Sequence, residues 1–322
     1  MDEIRCIFCK IESNHVVIEE NGYKGKRCPQ CGLIYISPRP SLDEIVDLYR
    51  LDDAHLSAEF HISSDFSKRL YARHHLGIIR SFVKSGTLLE IGAGAGYFLD
   101  EARRTGFNPH GLEFNPIQAD YIRNQLGIPC EESPLHTPIF EGKQFDVVYH
   151  CDVISHFFDP ISDFKKINEL MKDGAFLIFE TGNLGEVDQK YFKYFQRFQY
   201  PDHLFFFSTG NLVDLLKKTG FDLIKIYRYS ILPQLKVKKA LKSSIKELDL
   251  KSNEKEKPSS DGGGVGIRTV PNPQSFDAKS LVKKNIIYLF QYLSYVLRYK
   301  IGGIALKANR PQTVIVVARK SK

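Results

Sequence analysis

The sequence predicts an α/β fold: a doubly wound, mostly parallel sheet with helices on both faces, preceded by a small cysteine-rich unit. Two observations predict it. From residue 87 onward, short apolar runs alternate with helical runs, the pattern of a parallel sheet built from βαβ units. Ahead of that pattern, four cysteines stand in two CxxC pairs. In chain order, Ser41-Leu42-Asp43-Glu44 is a capping box that starts a helix running to about Arg50. Residues 51–65 read as loop, and Phe66–Val83 as a helix with apolar Phe66, Leu70, Ile78, Ile79 and Phe82. Leu88–Ile91 is a short buried strand leading into a glycine turn, and Tyr97–Thr105 is a helix closed by Gly106. His110–Phe114 is the next strand; Pro116–Leu126 is a helix with proline in its first turn and Gly127 past its end. Phe145–Cys151 is a strongly apolar strand, Ile161–Met171 a helix and Ala175–Thr181 a strand. Ser208 caps a helix that ends before Gly220, and Phe221–Tyr227 and Thr313–Ala318 are the last strands. Residues 250–278, rich in Lys, Glu, Ser, Gly and Pro, read as a flexible loop between those last two strands.

The 322 residues suffice for one large domain with an appendage. At 43% hydrophobic and 26% charged residues, a packed core is expected and a disordered chain is not. The net charge of +7 permits an anionic partner without demanding one, since a solvated basic surface accounts for it equally. The N-terminus, MDEIRCIFCK, opens on the acids Asp2 and Glu3 and lacks the apolar stretch of a signal peptide, and no run of 18 apolar residues occurs. A cytoplasmic protein without a transmembrane helix is the expectation.

Cys6-x2-Cys9 is followed after 18 residues by Cys28-x2-Cys31. Four thiolates at this spacing can surround one tetrahedral Zn²⁺ with no open position, which makes the site structural rather than catalytic. Without a secretory signal, paired thiols favour metal over disulfides. Residues 1–36 are too few to build a sufficient core, so metal binding is expected to fold them. Four buried, metal-free cysteines are the alternative, which leaves the pairing unexplained. Cys130 and Cys151 sit in apolar runs and read as buried bystanders.

The run Leu88-Leu89-Glu90-Ile91-Gly92-Ala93-Gly94-Ala95-Gly96-Tyr97 carries a strand into a glycine loop that opens a helix. A dinucleotide site would place its third glycine where Tyr97 stands, so a pyrophosphate loop of that shape is not expected. Glu113 ends the next strand, 21 residues after Gly92, where an acid can accept both ribose hydroxyls of a nucleoside. A solvated strand-end acid is the competing reading. Further along stand Phe145-Asp146-Val147-Val148 through His156-Phe157-Phe158-Asp159-Pro160, then Leu170–Ile178, Pro201–Ser208 and Leu215–Phe221. Together these segments cover about residues 80–230 and resemble, in order, the motifs of class I S-adenosylmethionine (SAM) dependent methyltransferases of the ubiquinone-methyltransferase-like superfamily. Asp173 and Ala175 depart from the Pro and Gly usual in that pattern. Arg27–Tyr35, with Pro38, Pro40 and Ser41–Tyr49, is similar to the zinc-ribbon members, many of which lie in polysaccharide and secondary-metabolite pathways.

The resemblance implies a seven-stranded Rossmann-like sheet, a SAM-dependent transferase and a zinc ribbon. It implies that Glu90, the loop glycines Gly92, Gly94 and Gly96, and the backbone near His150 hold the methionine moiety. It implies Glu113 for the ribose, and Phe114 with Glu132 and Ser133 for the adenine. An oxygen or carbon acceptor also surrenders a proton, a task suited to imidazole near neutral pH. His156 follows the Phe145–Cys151 strand and His203 precedes the helix capped by Ser208. A structural histidine is the competing reading for each, and position favours His203 as base. The Asp/Asn-Pro-Pro-Tyr motif is absent, since residues 150–153 read His-Cys-Asp-Val, which counts against adenine-N6 chemistry. Tyr191–Tyr200, dense in aromatics, reads as an acceptor wall or as one helix face on the core.

The expected organisation is a ribbon (1–36), a helical linker or lid (37–84), a SAM-binding core (85–232 and 301–322) and an insertion (233–300). The insertion holds the 250–278 loop and an apolar cap helix at 280–299, whose residues 281–297 can alternatively rest on a membrane surface. The expected function is methyl transfer to a hydroxyl or acidic carbon of a small metabolite, a carbohydrate or nucleotide-sugar, with a lipid-linked acceptor as a further candidate partner. The alternative is a zinc-ribbon nucleic-acid-binding protein that methylates RNA or has no catalytic activity. The ribbon lacks an obvious Lys/Arg cluster, which disfavours it.

Overall fold

The structure, a computed structural model, describes residues 2–50, 57–137, 140–240 and 278–321. The chain opens with β1 (Val16–Glu20), β2 (Tyr23–Arg27) and β3 (Ile34–Ile36), followed by α1 (Leu42–Arg50), α2 (Ala58–Ser63) and α3 (Asp65–Ile79). Then come β4 (Gly86–Ile91), α4 (Tyr97–Arg104), β5 (Phe107–Leu112), α5 (Pro116–Asn124), β6 (Cys130–Glu131) and β7 (Phe145–Cys151). After α6 (Pro160–Glu169) and β8 (Met171–Gly182) come β9 (Phe205–Phe206), α7 (Thr209–Lys218) and β10 (Phe221–Ser230). Residues 232–240 form α8, and α9 (Ala278–Tyr295) and β11 (Gln312–Lys320) end the chain.

The central sheet has seven strands in the order β10–β11–β8–β7–β4–β5–β6. Strands β4 to β8 run parallel, and β11 is antiparallel to both β8 and β10. The apolar runs Leu88-Leu89, Val147-Val148, Leu177-Ile178 and Val314–Ala318 are fully buried, as strands covered on both faces require. On one face Leu88, Val147 and Ile178 pack with Ala72, Leu76, Leu99 and Ile122 of α3, α4 and α5. On the other, Leu89, Val148 and Leu177 pack with Phe164, Ile167, Leu212 and Leu215 of α6 and α7. The same second cluster includes Cys6, Cys28, Leu33, Ile34 and Ile36. The N-terminal unit therefore shares the core of the large sheet rather than standing apart. It also borrows a strand: β9 pairs with β3 to complete a four-stranded sheet β1–β2–β3–β9.

The capping box forms as expected, with the Ser41 N–H 2.7 Å from the Glu44 carboxylate and the Glu44 N–H 3.3 Å from Ser41 Oγ. Three expectations are corrected. The segment 51–65 is not all loop, because Ser57 caps α2 by accepting the Phe60 N–H, a cap signal the apolar spacing concealed. Tyr191–Tyr200 is not one helix face: a 3₁₀ turn covers Gln189–Tyr194, and Gln199 at φ 68° cannot continue a helix. Cys151 is not fully buried, since it stands half-exposed at the open end of β7. The apolar cap helix is α9, which runs into a π-helical turn, Val296–Ile301. It packs on α3 through Phe66–Tyr288 and Tyr71–Tyr295 ring contacts, while Ile286, Ile287, Leu289, Phe290 and Leu293 are exposed. No described helix is long and apolar enough to cross a membrane. The expected loop 250–278 lies, up to residue 277, outside the described residues.

Candidate active site

All parallel strands end at the same edge of the sheet, and there β4, β5, β7 and β8 bring their last residues together. This is the edge where open α/β sheets bind ligands. The glycine loop follows β4. Its backbone closes on the next strand, with Gly92 N–H and Ala93 N–H donating to Leu112 O at 2.8 and 3.2 Å. Gly92, Gly94 and Gly96 all have φ near +54° to +72°, which only glycine adopts without strain. A Cβ on Gly92 would stand 2.6 Å from Val153, and one on Gly96 2.7 Å from Ile122. At Gly94 the nearest atoms are Gln118 Oε1 at 3.3 Å and His61 Nδ1 at 3.4 Å, so α2 lies against the loop.

Glu90 is 5% exposed, and its Oε2 is buried with no hydrogen-bond partner among the described residues. Burial, and then the charge of Glu113, push its carboxyl well above the usual range. Glu113 is held tightly: Gly94 N–H donates to one oxygen at 2.7 Å and Asn115 N–H to the other at 2.9 Å. Burial raises its pKa against those two bonds. The expected cofactor residues divide here. Glu90, Gly92, Gly94, Gly96 and Glu113 converge on one loop, and half-buried Phe114 adjoins it. Glu132 is exposed and pairs with Arg123, while Ser133 bonds Thr137 and Pro134 O. The His150 ring does not face the loop, so only its backbone is left for the expected role. The ring is fully buried, stacked on Phe179 at 4.9 Å with Phe157 and Phe164 around it, and neither ring nitrogen has a partner among the described residues. Burial drives its pKa down to about 3. Strand alternation explains the placement, since side chains one residue apart point to opposite faces.

Beyond β7 the two candidate histidines meet, their ring centroids 4.6 Å apart. His156 Nδ1 faces three oxygens: Tyr49 Oη at 2.7 Å, Asp202 O at 2.9 Å and the Asp202 carboxylate at 3.2 Å. Nδ1 therefore carries a proton, which leaves Nε2 as the basic nitrogen of the neutral ring. Burial lowers the His156 pKa, but the Asp202 contacts outweigh it and the net shift is upward. The Tyr49 hydroxyl donates to Asp202, and its carbonyl accepts from Asn115 Nδ2 at 3.4 Å. Tyr49 thus bridges from the end of β5 to the loop after β7. His203 borders this group and packs edge-on to Phe206 at 5.6 Å.

A second polar cluster lies on the α3 face. His75 joins Tyr149 at 2.5 Å and Glu180 at 2.8 Å, and Glu180 also accepts from Tyr299 at 2.7 Å and Arg298 at 2.6 Å. Burial pushes Glu180 up, yet Arg298 and His75 prevail and hold it at about 2. Sequence reasoning missed Tyr49, Asp202, Gln118 and this cluster. Asp202 adjoins His203 in the chain and offered a signal; the others are joined only by folding.

The four N-terminal cysteines come together as expected, their sulfurs all within 4.8 Å of one another and Cys6 Sγ 3.5 Å from Cys31 Sγ. Tetrahedral zinc with Zn–S bonds of about 2.3 Å needs sulfurs roughly 3.8 Å apart, so the donor set fits. Hydrogen bonds from Cys6 hold the Cys31 thiol down at about 5, while burial pushes Cys9 up to about 12.

The methyltransferase domain family matches residues 66–226, half of the chain, from α3 into β10. The chain belongs to this family. The ribbon, α1, α2 and α9 lie outside the matched methyltransferase domain. Ubiquinone biosynthesis O-methyltransferase of Cereibacter sphaeroides is 25% identical over 147 residues, 42% of this chain and 60% of that protein. The chain thus matches less than two thirds of the length of such curated relatives. Among solved structures, phosphoethanolamine N-methyltransferase 2 of Haemonchus contortus, in complex with S-adenosyl-L-methionine, shares 16% identity at a TM-score of 0.47. That alignment covers 90% of this chain and 62% of the other. Coclaurine N-methyltransferase, bound to N-methylheliamine and SAH, shares 12% at 0.45, over 78% and 72% of the two chains.

Proposed function

We propose that the protein transfers a methyl group from SAM to a hydroxyl or acidic carbon of a small, carbohydrate-like or lipid-linked acceptor. The observation that carries this reading is the Glu90–Gly92–Glu113 arrangement: a left-handed glycine loop packed on Val153, beside a buried carboxylate oxygen without a partner among the described residues. An ammonium group suits that oxygen, because a buried acceptor left unpaired costs more than a hydrogen bond returns. Glu113 keeps lone pairs for ribose hydroxyls while the Gly94 and Asn115 N–H groups orient it. Bound SAM supplies an activated methyl on a sulfonium, so the chain's own tasks are alignment, exclusion of water and proton removal.

His203 is the group proposed to take the acceptor proton. Two imidazoles this close disfavour double protonation, and Asp202 holds the proton preferentially on His156. That leaves His203 as the neutral ring of the pair. Structural Zn²⁺ on Cys6, Cys9, Cys28 and Cys31 completes the proposal. The exposed edge of α9 supports contact with a membrane surface that carries a lipid-linked acceptor.

Calorimetry with S-adenosylhomocysteine and with NAD tests the cofactor. S-adenosylhomocysteine should bind and NAD should not, and Glu113→Ala should lose about 1.5–3 kcal/mol per ribose hydrogen bond. Turnover is then screened against nucleotide sugars, phenols and RNA. On the acceptor found, His203→Ala should lose about 10²–10⁴ in rate with cofactor affinity near wild type. Full turnover by that variant would exclude His203 as base, and turnover on RNA alone would favour the nucleic-acid alternative.

A further inference from the structure

The N-terminal ribbon reaches into the segment that presents His203. The tip of its β1–β2 hairpin grips the chain just upstream. The Glu20 carboxylate accepts the Phe198 N–H at 3.0 and 3.1 Å and the Tyr200 N–H at 2.9 Å. Asn21 Nδ2 donates to Tyr200 O at 2.7 Å. Between those two anchored residues stands Gln199 at φ 68°, a conformation that side-chain-bearing residues rarely adopt. His203 N–H in turn donates to Gln199 O at 3.0 Å. The strained turn that launches His203 is therefore spanned by two ribbon side chains. A carboxylate accepting backbone N–H groups makes bonds stronger than neutral ones, which is what a strained turn needs in order to persist.

The contact is close along its length. The Tyr200 ring is 2% exposed and lies on β2, where a Cβ on Gly25 would collide with its hydroxyl oxygen. Downstream, Ile36 N–H donates to Leu204 O at 3.1 Å and Leu204 N–H to Ser155 O at 2.7 Å, one residue from His156. The glycine loop and Glu113 take their support from β4, β5 and α5 instead.

We propose that Glu20 and Asn21 are positioning residues for His203, so that the ribbon sets the acceptor side of the site while the cofactor side stands independently. The proposal rests on reading His203 as the base. The test uses the full-length, zinc-loaded protein with isotope-labelled histidine, in wild type, Glu20→Ala, Glu20→Gln and His203→Ala, the last assigning the His203 signal. In Glu20→Ala, the His203 ring resonances and their pH titration should move, and the Phe198 and Tyr200 amides should exchange at least about tenfold faster. Glu20→Gln retains one acceptor oxygen and should fall between the two. Affinity for S-adenosylhomocysteine should stay within about twofold in both variants. His203 spectra in Glu20→Ala that superimpose on wild type would overturn the proposal. So would an equal collapse of cofactor binding, since that would report general misfolding. If Glu20→Ala moves His203 as expected but His203→Ala retains full methyl transfer, the positioning stands and the base assignment falls.

Discussion

Single residues in this protein take their chemistry from burial. His150 shows it most simply: the ring is enclosed by Phe157, Phe164 and Phe179, and burial lowers its pKa to about 3. In the unfolded chain the same group titrates near about 6.5. The folded state therefore binds fewer protons, and the contribution of His150 is present above that value. It is lost as pH falls, at about 1.4 kcal/mol per unit. His150→Phe should remove this dependence. Urea titrations at pH 7 and pH 5 should show the variant losing about 2 kcal/mol less than wild type between them. Parallel losses would mean that the ring takes up its proton over the same pH range in the fold as in the unfolded chain. His156 carries the opposite sign. Its raised pKa stabilises the fold below the unfolded value, and that contribution fades as pH rises through the folded one.

At the scale of elements, α9 divides into two edges with different tasks. Its inner edge stacks Tyr288 on Phe66 and Tyr295 on Tyr71, and the π-helical turn that follows delivers Arg298 to Glu180. Its outer edge exposes Ile286, Ile287, Leu289, Phe290 and Leu293, a larger apolar ridge than a solvent-facing helix retains without use. If that ridge rests on a membrane, co-sedimentation with anionic phospholipid vesicles should weaken about tenfold or more for each of Leu289→Glu and Phe290→Glu. Thermal stability should change little, because neither side chain belongs to a buried cluster. Wild-type protein that stays in the supernatant would assign the ridge another purpose.

At the scale of the whole molecule, the described residues of the ribbon and the large sheet pack as one unit. Cys6 and Cys28 lie in the same cluster as Leu89, Val148 and Phe179, and β9 ties the large domain into the ribbon sheet. Structural zinc in small domains is worth on the order of 10 kcal/mol; if the four cysteines hold it as proposed, a chelator should unfold the ribbon and strip apolar cover from one face of the large sheet. Calorimetric scans with and without a chelator should show the main transition itself moving down. A separate small transition over an unchanged main one would mean that the ribbon is an independent appendage.

The sequence by itself determined the parts whose signals are local. The CxxC pairs, the Ser41–Glu44 box, the glycine loop and the alternation of strands and helices are set by neighbours in the chain, and each appears where its residues stand. Glu90, Glu113 and the two histidines were legible because strand ends fall at one edge of a parallel sheet. Tertiary structure alone decided what depends on distant contact. The ribbon's fourth strand comes from residues 205–206, Tyr49 reaches Asp202 across 153 positions, and Glu20 grips a backbone 178 residues away. Strand parity turned the His150 ring away from the glycine loop, and folding left a Glu90 oxygen buried without a partner among the described residues. Hydrogen bonds and packing act over a few ångströms, and sequence separation carries no record of which distant groups the fold will bring that close.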